Sequence, residues 1–179
     1  MLYFAYGSNL LIERLQARTP SAGEAGTGIL RGFRLEFHKI GTDASAKCDA
    51  FETGDETDLV YGVLYRLSDA DRNVLDEIEG VGHGYEVIEV DVETTAGAVT
   101  VFTYVVDPAY MNPELPPYRW YKAFVLEGAR QHGFPEAYVA AIDAVPAIAD
   151  PDVERAARNA QVLARALKAP PVTKEPPRR

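Results

Sequence analysis

Two short stretches hold residues that could do chemistry: YGSN at Tyr6–Asn9 and DEIEG at Asp76–Gly80. In the first, an apolar strand expected over Leu2–Tyr6 runs into a Gly-Ser-Asn corner. Gly7 admits a positive φ or a close backbone approach. With Ser8 and Asn9 it can present a row of backbone N–H groups to an anion or a developing oxyanion. The same residues also make an ordinary strand-to-helix turn capped by Asn9, and residue chemistry alone leaves both readings open. In the second stretch, Glu79 falls in the last turn of an expected helix, directly before Gly80. A helix C-terminus carries partial negative charge, and Asp76 stands three residues earlier on nearly the same face. Both disfavour the ionised form of Glu79, a condition that suits a general acid/base working near neutral pH. The plainer reading is a solvated acidic helix face, which Asp76 and Glu77 fit.

Other candidates are weaker. Tyr85, Tyr118, Trp120 and Tyr121 form an aromatic group that could orient a substrate or simply edge the core. Ser8 lacks the G-x-S-x-G frame of a nucleophile, and His38, His83 and His132 are scattered without a triad pattern. Neither H-E-x-x-H nor C-x-x-C spacing occurs, so no metal and no cofactor is expected. The alternating Gly80, Gly82 and Gly84 follow a helix, whereas a phosphate-binding glycine loop opens one. Cys48 has no neighbour in sequence to activate it and reads as a small packing residue.

These residues need elements to carry them. Asn9 is expected to cap a short helix over Leu10–Arg18, stopped at Thr19-Pro20. Alternating apolar residues predict one strand over Ile29–Ile40, followed by Lys47–Glu52 and a more buried strand at Leu59–Leu67. Ser68 caps a helix with Val74, Leu75 and Ile78 as its apolar stripe and Gly80 as its stop. Tyr85–Glu93 and Val99–Val106 read as a hairpin across Ala96-Gly97. Helices are expected over Tyr118–Gln131, Pro135–Val145 and Asp152–Leu167. The order implies an α+β fold with a mixed, curved sheet. Residues 1–167 are expected to form a single domain, and the Pro-rich, charged 168–179 to be a flexible tail.

The 179 residues carry 18 Lys and Arg against 27 Asp and Glu, a formal charge of −9. That sign argues against a nucleic-acid partner, because phosphate binding needs a basic surface. No apolar run reaches the length of a membrane helix, and the N-terminus does not read as a signal peptide. A single cysteine makes the reducing cytoplasm the default compartment.

Taken together, FAYGSNL, then LDEIEGV followed closely by Tyr85, then YKAFVLEGARQHGFP resemble the γ-glutamylcyclotransferase family, in the family's order and over most of the chain. The YGSN form is more similar to the plain cyclotransferase branch than to the glutathione-specific ChaC branch, which carries YGSL. The segment GVGHGYE is one residue shorter than in the animal enzymes of the family. The resemblance implies a small mixed β-barrel flanked by helices and cyclisation of a γ-glutamyl amide to 5-oxoproline. It puts the catalytic glutamate at Glu79, the substrate loop at Tyr6, Gly7, Ser8 and Asn9, and cleft tyrosines at Tyr85 and Tyr121. It implies a small-molecule γ-glutamyl substrate and leaves a homodimer open. Two rivals stand beside it: a sibling activity on γ-glutamyl-amines or a γ-glutamyl-protected intermediate, and a non-catalytic binder of acidic amino acids.

Overall fold

A computed structural model describes residues 1–168, so the expected tail lies outside the described residues from 169 onward. The barrel strands are β1 (Leu2–Ala5), β2 (Gly23–Arg31), β5 (Leu59–Arg66), β6 (Tyr85–Thr94) and β7 (Gly97–Val106). A separate ribbon pairs β3 (Phe33–Ile40) with β4 (Ala46–Glu52). The α-helices among the described residues are α1 (Ile12–Gln16), α2 (Asp69–Glu79), α3 (Arg119–Gln131), α4 (Glu136–Ala144) and α5 (Val153–Ala166). The barrel closes in the order β1-β5-β2-β6-β7, which makes the fold α+β around a small mixed β-barrel.

The pattern expected as one strand over Ile29–Ile40 belongs to two. The chain breaks at Gly32, whose N–H donates to Asp58 O at 3.0 Å, and Phe33 then starts the ribbon. The glycine-rich start of β2 gave no strand signal. Gly26 sits at a bulge with φ 134°, and Gly28 is used for proximity: a Cβ there would stand 2.2 Å from Cγ1 of the fully buried Val92. Only a residue without a side chain lets β2 cross β6 that closely. The ribbon docks on the barrel through the buried Asp49. Its Oδ1 accepts the Val106 N–H at 2.9 Å, and its Oδ2 lies 2.7 Å from His38 Nε2.

β1 is the short inner strand, antiparallel to β5 and touching β7 in parallel at Tyr3 opposite Phe102. Its register with β5 sets the course of α2. Leu2 pairs with Arg66, so the chain leaves β5 beside the start of β1, where the N-terminal amine donates to Leu67 O at 3.0 Å. Ser68 then caps α2 by accepting from Asp71 N–H. The 11 residues of α2 rise about 16 Å, enough to run past β1 to the bend that follows it. Side-chain contacts mark the path: Arg72 lies over the Phe102 ring at 3.8 Å, and Tyr104 OH donates to Asp76 Oδ1 at 2.6 Å.

α3 and α5 pack over the bend around Leu11, Phe124 and Ala166. The buried Asp150 fixes this layer. Its carboxylate accepts from Trp120 Nε1 at 2.8 Å, from Arg155 Nε at 2.7 Å and Nη2 at 2.6 Å, and from Asp152 N–H at 2.9 Å. The Arg155 hydrogen bonds hold the Asp150 carboxyl well below the usual carboxylate range, against the opposing effect of burial. A lowered folded-state pKa adds stability above the unfolded value of about 3.9 and loses it as pH falls. Asp150→Asn is therefore expected to lower Tm by a constant amount from about pH 5 upward, with the gap shrinking below about pH 4. Thermal melts at stepped pH check this, and an equal gap at acid and neutral pH contradicts it.

Candidate active site

The residues after β1 do not begin a regular helix. Ser8–Leu10 form one 3-10 turn, Leu11 is extended, and α1 starts at Ile12 with no side-chain cap. The helix expected over Leu10–Arg18 is thus shorter and starts later. Asn9 does not cap it, because its side chain is occupied elsewhere. Asn9 Nδ2 donates to Glu79 Oε1 at 3.0 Å and to Tyr3 OH at 3.3 Å, while its Oδ1 accepts from Arg18 Nη1 at 3.3 Å. Leu10 N–H closes the turn on Gly7 O at 3.0 Å. The N–H groups of Gly7, Ser8 and Asn9 find no acceptor among the described residues. Gly7 has φ −103°, so close approach and not positive φ is what it supplies: a Cβ there would lie 3.2 Å from Cys48 Cβ.

Glu79 arrives from the other side as the last residue of α2. Gly80 ends the helix in the left-handed conformation, φ 73°, and both its N–H and that of Val81 donate to Asp76 O. This closure satisfies the last helical carbonyls locally. Asp76, expected to press on Glu79 with like charge, is turned to Arg72 Nε at 2.6 Å and to Tyr104 OH. Glu79 instead meets a cation and an amide donor on one oxygen, with Arg18 Nη1 at 3.4 Å and Asn9 Nδ2 at 3.0 Å from Oε1. Oε2 takes no hydrogen bond from the described residues.

Tyr6, Tyr85 and Tyr121 are buried and spend their hydroxyls on backbone. Tyr6 OH donates to Tyr104 O, and Tyr85 OH donates to Cys48 O, each at 2.5 Å. Tyr121 OH accepts the Cys48 N–H at 2.9 Å. Cys48 is therefore clamped on both sides by the two tyrosines, and burial pushes its thiol and all three phenols up from their ordinary values. These rings bound the site chiefly by their surfaces.

The structure brings Tyr6, Gly7, Ser8, Asn9, Glu79, Tyr85 and Tyr121 to one small cavity of about 30 Å³, joined there by Tyr3, Cys48 and Tyr104. Ser8, Glu79, Tyr85 and Tyr121 also line a wider outer cavity of about 380 Å³, with Arg14, Arg18, Lys39 and Lys47 among its walls. Sequence reasoning missed Tyr3, Tyr104 and these four cations. Tyr104 had a signal, since Phe102, Tyr104 and Val106 share one face of β7. Arg18 had none, because it reaches Glu79 only through the folded turn after α1. Among the described residues no group of three or more His, Cys, Asp and Glu is arranged to hold a metal ion. Tyr121→Phe strips the buried Cys48 N–H of its acceptor. Such a loss costs about 1–3 kcal/mol, which urea unfolding should register, and unchanged stability would contradict the clamp.

Comparison with known proteins agrees with this fold. The model of the AIG2-like family matches residues 59–142. The mouse γ-glutamylcyclotransferase is 37% identical over 152 residues, 80% of this chain and 78% of the relative, and the human protein matches to the same extent. A solved γ-glutamyl cyclotransferase structure superposes with a TM-score of 0.75 at 31% identity, covering 88% of this chain and 98% of that one. With these identities spanning most of both chains, the protein belongs to the γ-glutamylcyclotransferase family.

Proposed function

We propose that the cavity cyclises a γ-glutamyl amide to 5-oxoproline and releases the amine, with Glu79 carrying the proton. One observation carries the reading. Glu79 Oε1 is anchored by Asn9 and Arg18 while Oε2 is unclaimed, on the wall of a cavity that the bare N–H groups of Gly7–Asn9 also border. In the reaction, the substrate's α-ammonium gives a proton to Glu79, and the freed nitrogen attacks its own γ-carbonyl carbon. A C–N bond closes the five-membered ring and the carbonyl oxygen becomes an oxyanion. As that intermediate collapses, the bond to the leaving nitrogen breaks and Glu79 returns the proton to it. The second ring-nitrogen proton passes to water, and the released amine takes one from water. One carboxylate thus serves first as base and then as acid, and no enzyme nucleophile is used.

Gly7, Ser8 and Asn9 supply donors to a negative oxygen, whether the oxyanion or the substrate's α-carboxylate. An oxyanion donor is worth roughly 3 kcal/mol of barrier. Tyr6, Tyr85 and Tyr121 hold the flexible glutamyl chain in its cyclising shape, an orientation effect of comparable or larger size. In this reading residues 1–167 form the catalytic unit. A reducing cytoplasm suits its free, buried Cys48.

Release of 5-oxoproline from γ-Glu-Ala, γ-Glu-ε-Lys and glutathione tests the activity and ranks the amines. Glu79→Gln is expected to keep fold and 5-oxoproline binding while turnover falls about 10²–10⁴-fold, the usual size of a general acid/base contribution. A near-parental rate in that variant would remove Glu79 from the proton path.

A further inference from the structure

The stretch GARQHGFP, Gly128 to Pro135, ends α3 and also touches the bend after β1. Gly133 stops the helix in the left-handed conformation, φ 64°. Its N–H donates to Arg130 O and that of Phe134 to Ala129 O, each at 3.1 Å, the paired closure of a Schellman motif. The stop leaves His132 as the capping residue of α3, one turn after Gly128 and on the same face. Both meet Leu10, the fully buried last residue of the 3-10 turn Ser8–Leu10. A Cβ on Gly128 would stand 2.4 Å from Leu10 Cβ, so the bare glycine lets the helix seat against the turn. His132 Nε2 lies 3.0 Å from Leu10 O. A carbonyl oxygen only accepts, so the ring donates there through Nε2. Tyr65 OH donates to the same oxygen at 2.9 Å, and the two donors fill its two lone pairs.

This carbonyl fixes the bend from outside. Leu10 N–H closes the turn on Gly7 O, so a shift of Leu10 carries the N–H groups of Gly7, Ser8 and Asn9 with it. It carries the Asn9 amide as well, and with it the contact to Glu79. His132 lines neither the inner nor the outer cavity of the site, so it acts on a ligand there only through the bend. Resting on the cyclotransferase reading, we propose that His132 is a positioning residue. Its hydrogen bond to Leu10 O keeps the N–H row and the Asn9 amide in register with Glu79.

The test compares His132→Leu, which keeps bulk and loses the donor, with His132→Gln, which returns an amide donor of similar reach. Release of 5-oxoproline from γ-Glu-Ala is measured well below Tm, where global stability does not enter. In His132→Leu, kcat/KM should fall about 10- to 100-fold, because a misplacement of about 1 Å at the reacting centre can cost about 10²-fold. His132→Gln should recover most of that loss. Hydrogen exchange at Leu10 N–H needs no turnover. It should quicken up to about 10-fold in His132→Leu, the scale of one hydrogen bond, and slow again in His132→Gln. A near-parental rate in His132→Leu would overturn the proposal, as would unchanged exchange at Leu10. Equal losses in both variants would overturn it too, since they mark a role in packing alone. A parent that releases no 5-oxoproline, with exchange at Leu10 still following the donor, would sink the cyclotransferase reading but support the hold of His132 on the bend.

Discussion

One hydrogen bond ties the site together: Asn9 Nδ2 to Glu79 Oε1, across 70 residues of sequence. It joins the bend after β1 to the end of α2, and each side must arrive with little freedom. The β1–β5 register starts α2 beside the N-terminus, and the length of α2 carries its last residue to the bend. Capping at Ser68 and the left-handed Gly80 fix where that helix begins and ends. A helix one turn longer or shorter would miss the bend by about 5 Å. The position of Glu79 is thus a consequence of strand pairing and helix length.

Around this bond three tyrosine hydroxyls are spent on the protein's own backbone. Tyr85 and Tyr121 close on Cys48, and Tyr6 reaches Tyr104 O. With these three hydroxyls paired, their rings are held in place on the cavity wall before any ligand arrives. The charge follows a similar division. The chain as a whole carries −9, yet four cations gather around the outer cavity. Asp43, Glu77 and Glu79 line the same cavity, so its walls carry both signs of charge.

The sequence made some of this legible. Ser68 and Gly80 marked both ends of α2, and the period-two pattern marked the β6–β7 hairpin, because capping and alternation are local signals. YGSN and DEIEG stood out as the two stretches worth attention, and the fold brings them to one cavity. Other features were hidden for physical reasons. The strand β2 begins in Gly-Glu-Ala-Gly-Thr-Gly, where a bulge at Gly26 and the close crossing of β6 at Gly28 leave few of the apolar residues that announce a strand. Asn9 looked like a helix cap, yet its amide is taken by Glu79, Tyr3 and Arg18. Asp76 looked like a repulsive neighbour until the fold supplied Arg72 and Tyr104. His132 and Arg18 acquire meaning only from partners that are distant in sequence.

The central claim is that Asn9 acts through Glu79. A double-mutant cycle on kcat/KM, with Asn9→Ala, Glu79→Gln and both together, tests it most directly. If the amide works by fixing that carboxylate, removing it from the Glu79→Gln enzyme should cost far less than removing it from the parent. Losses that simply multiply in the double variant would mean that the two side chains act independently, and the account would be wrong.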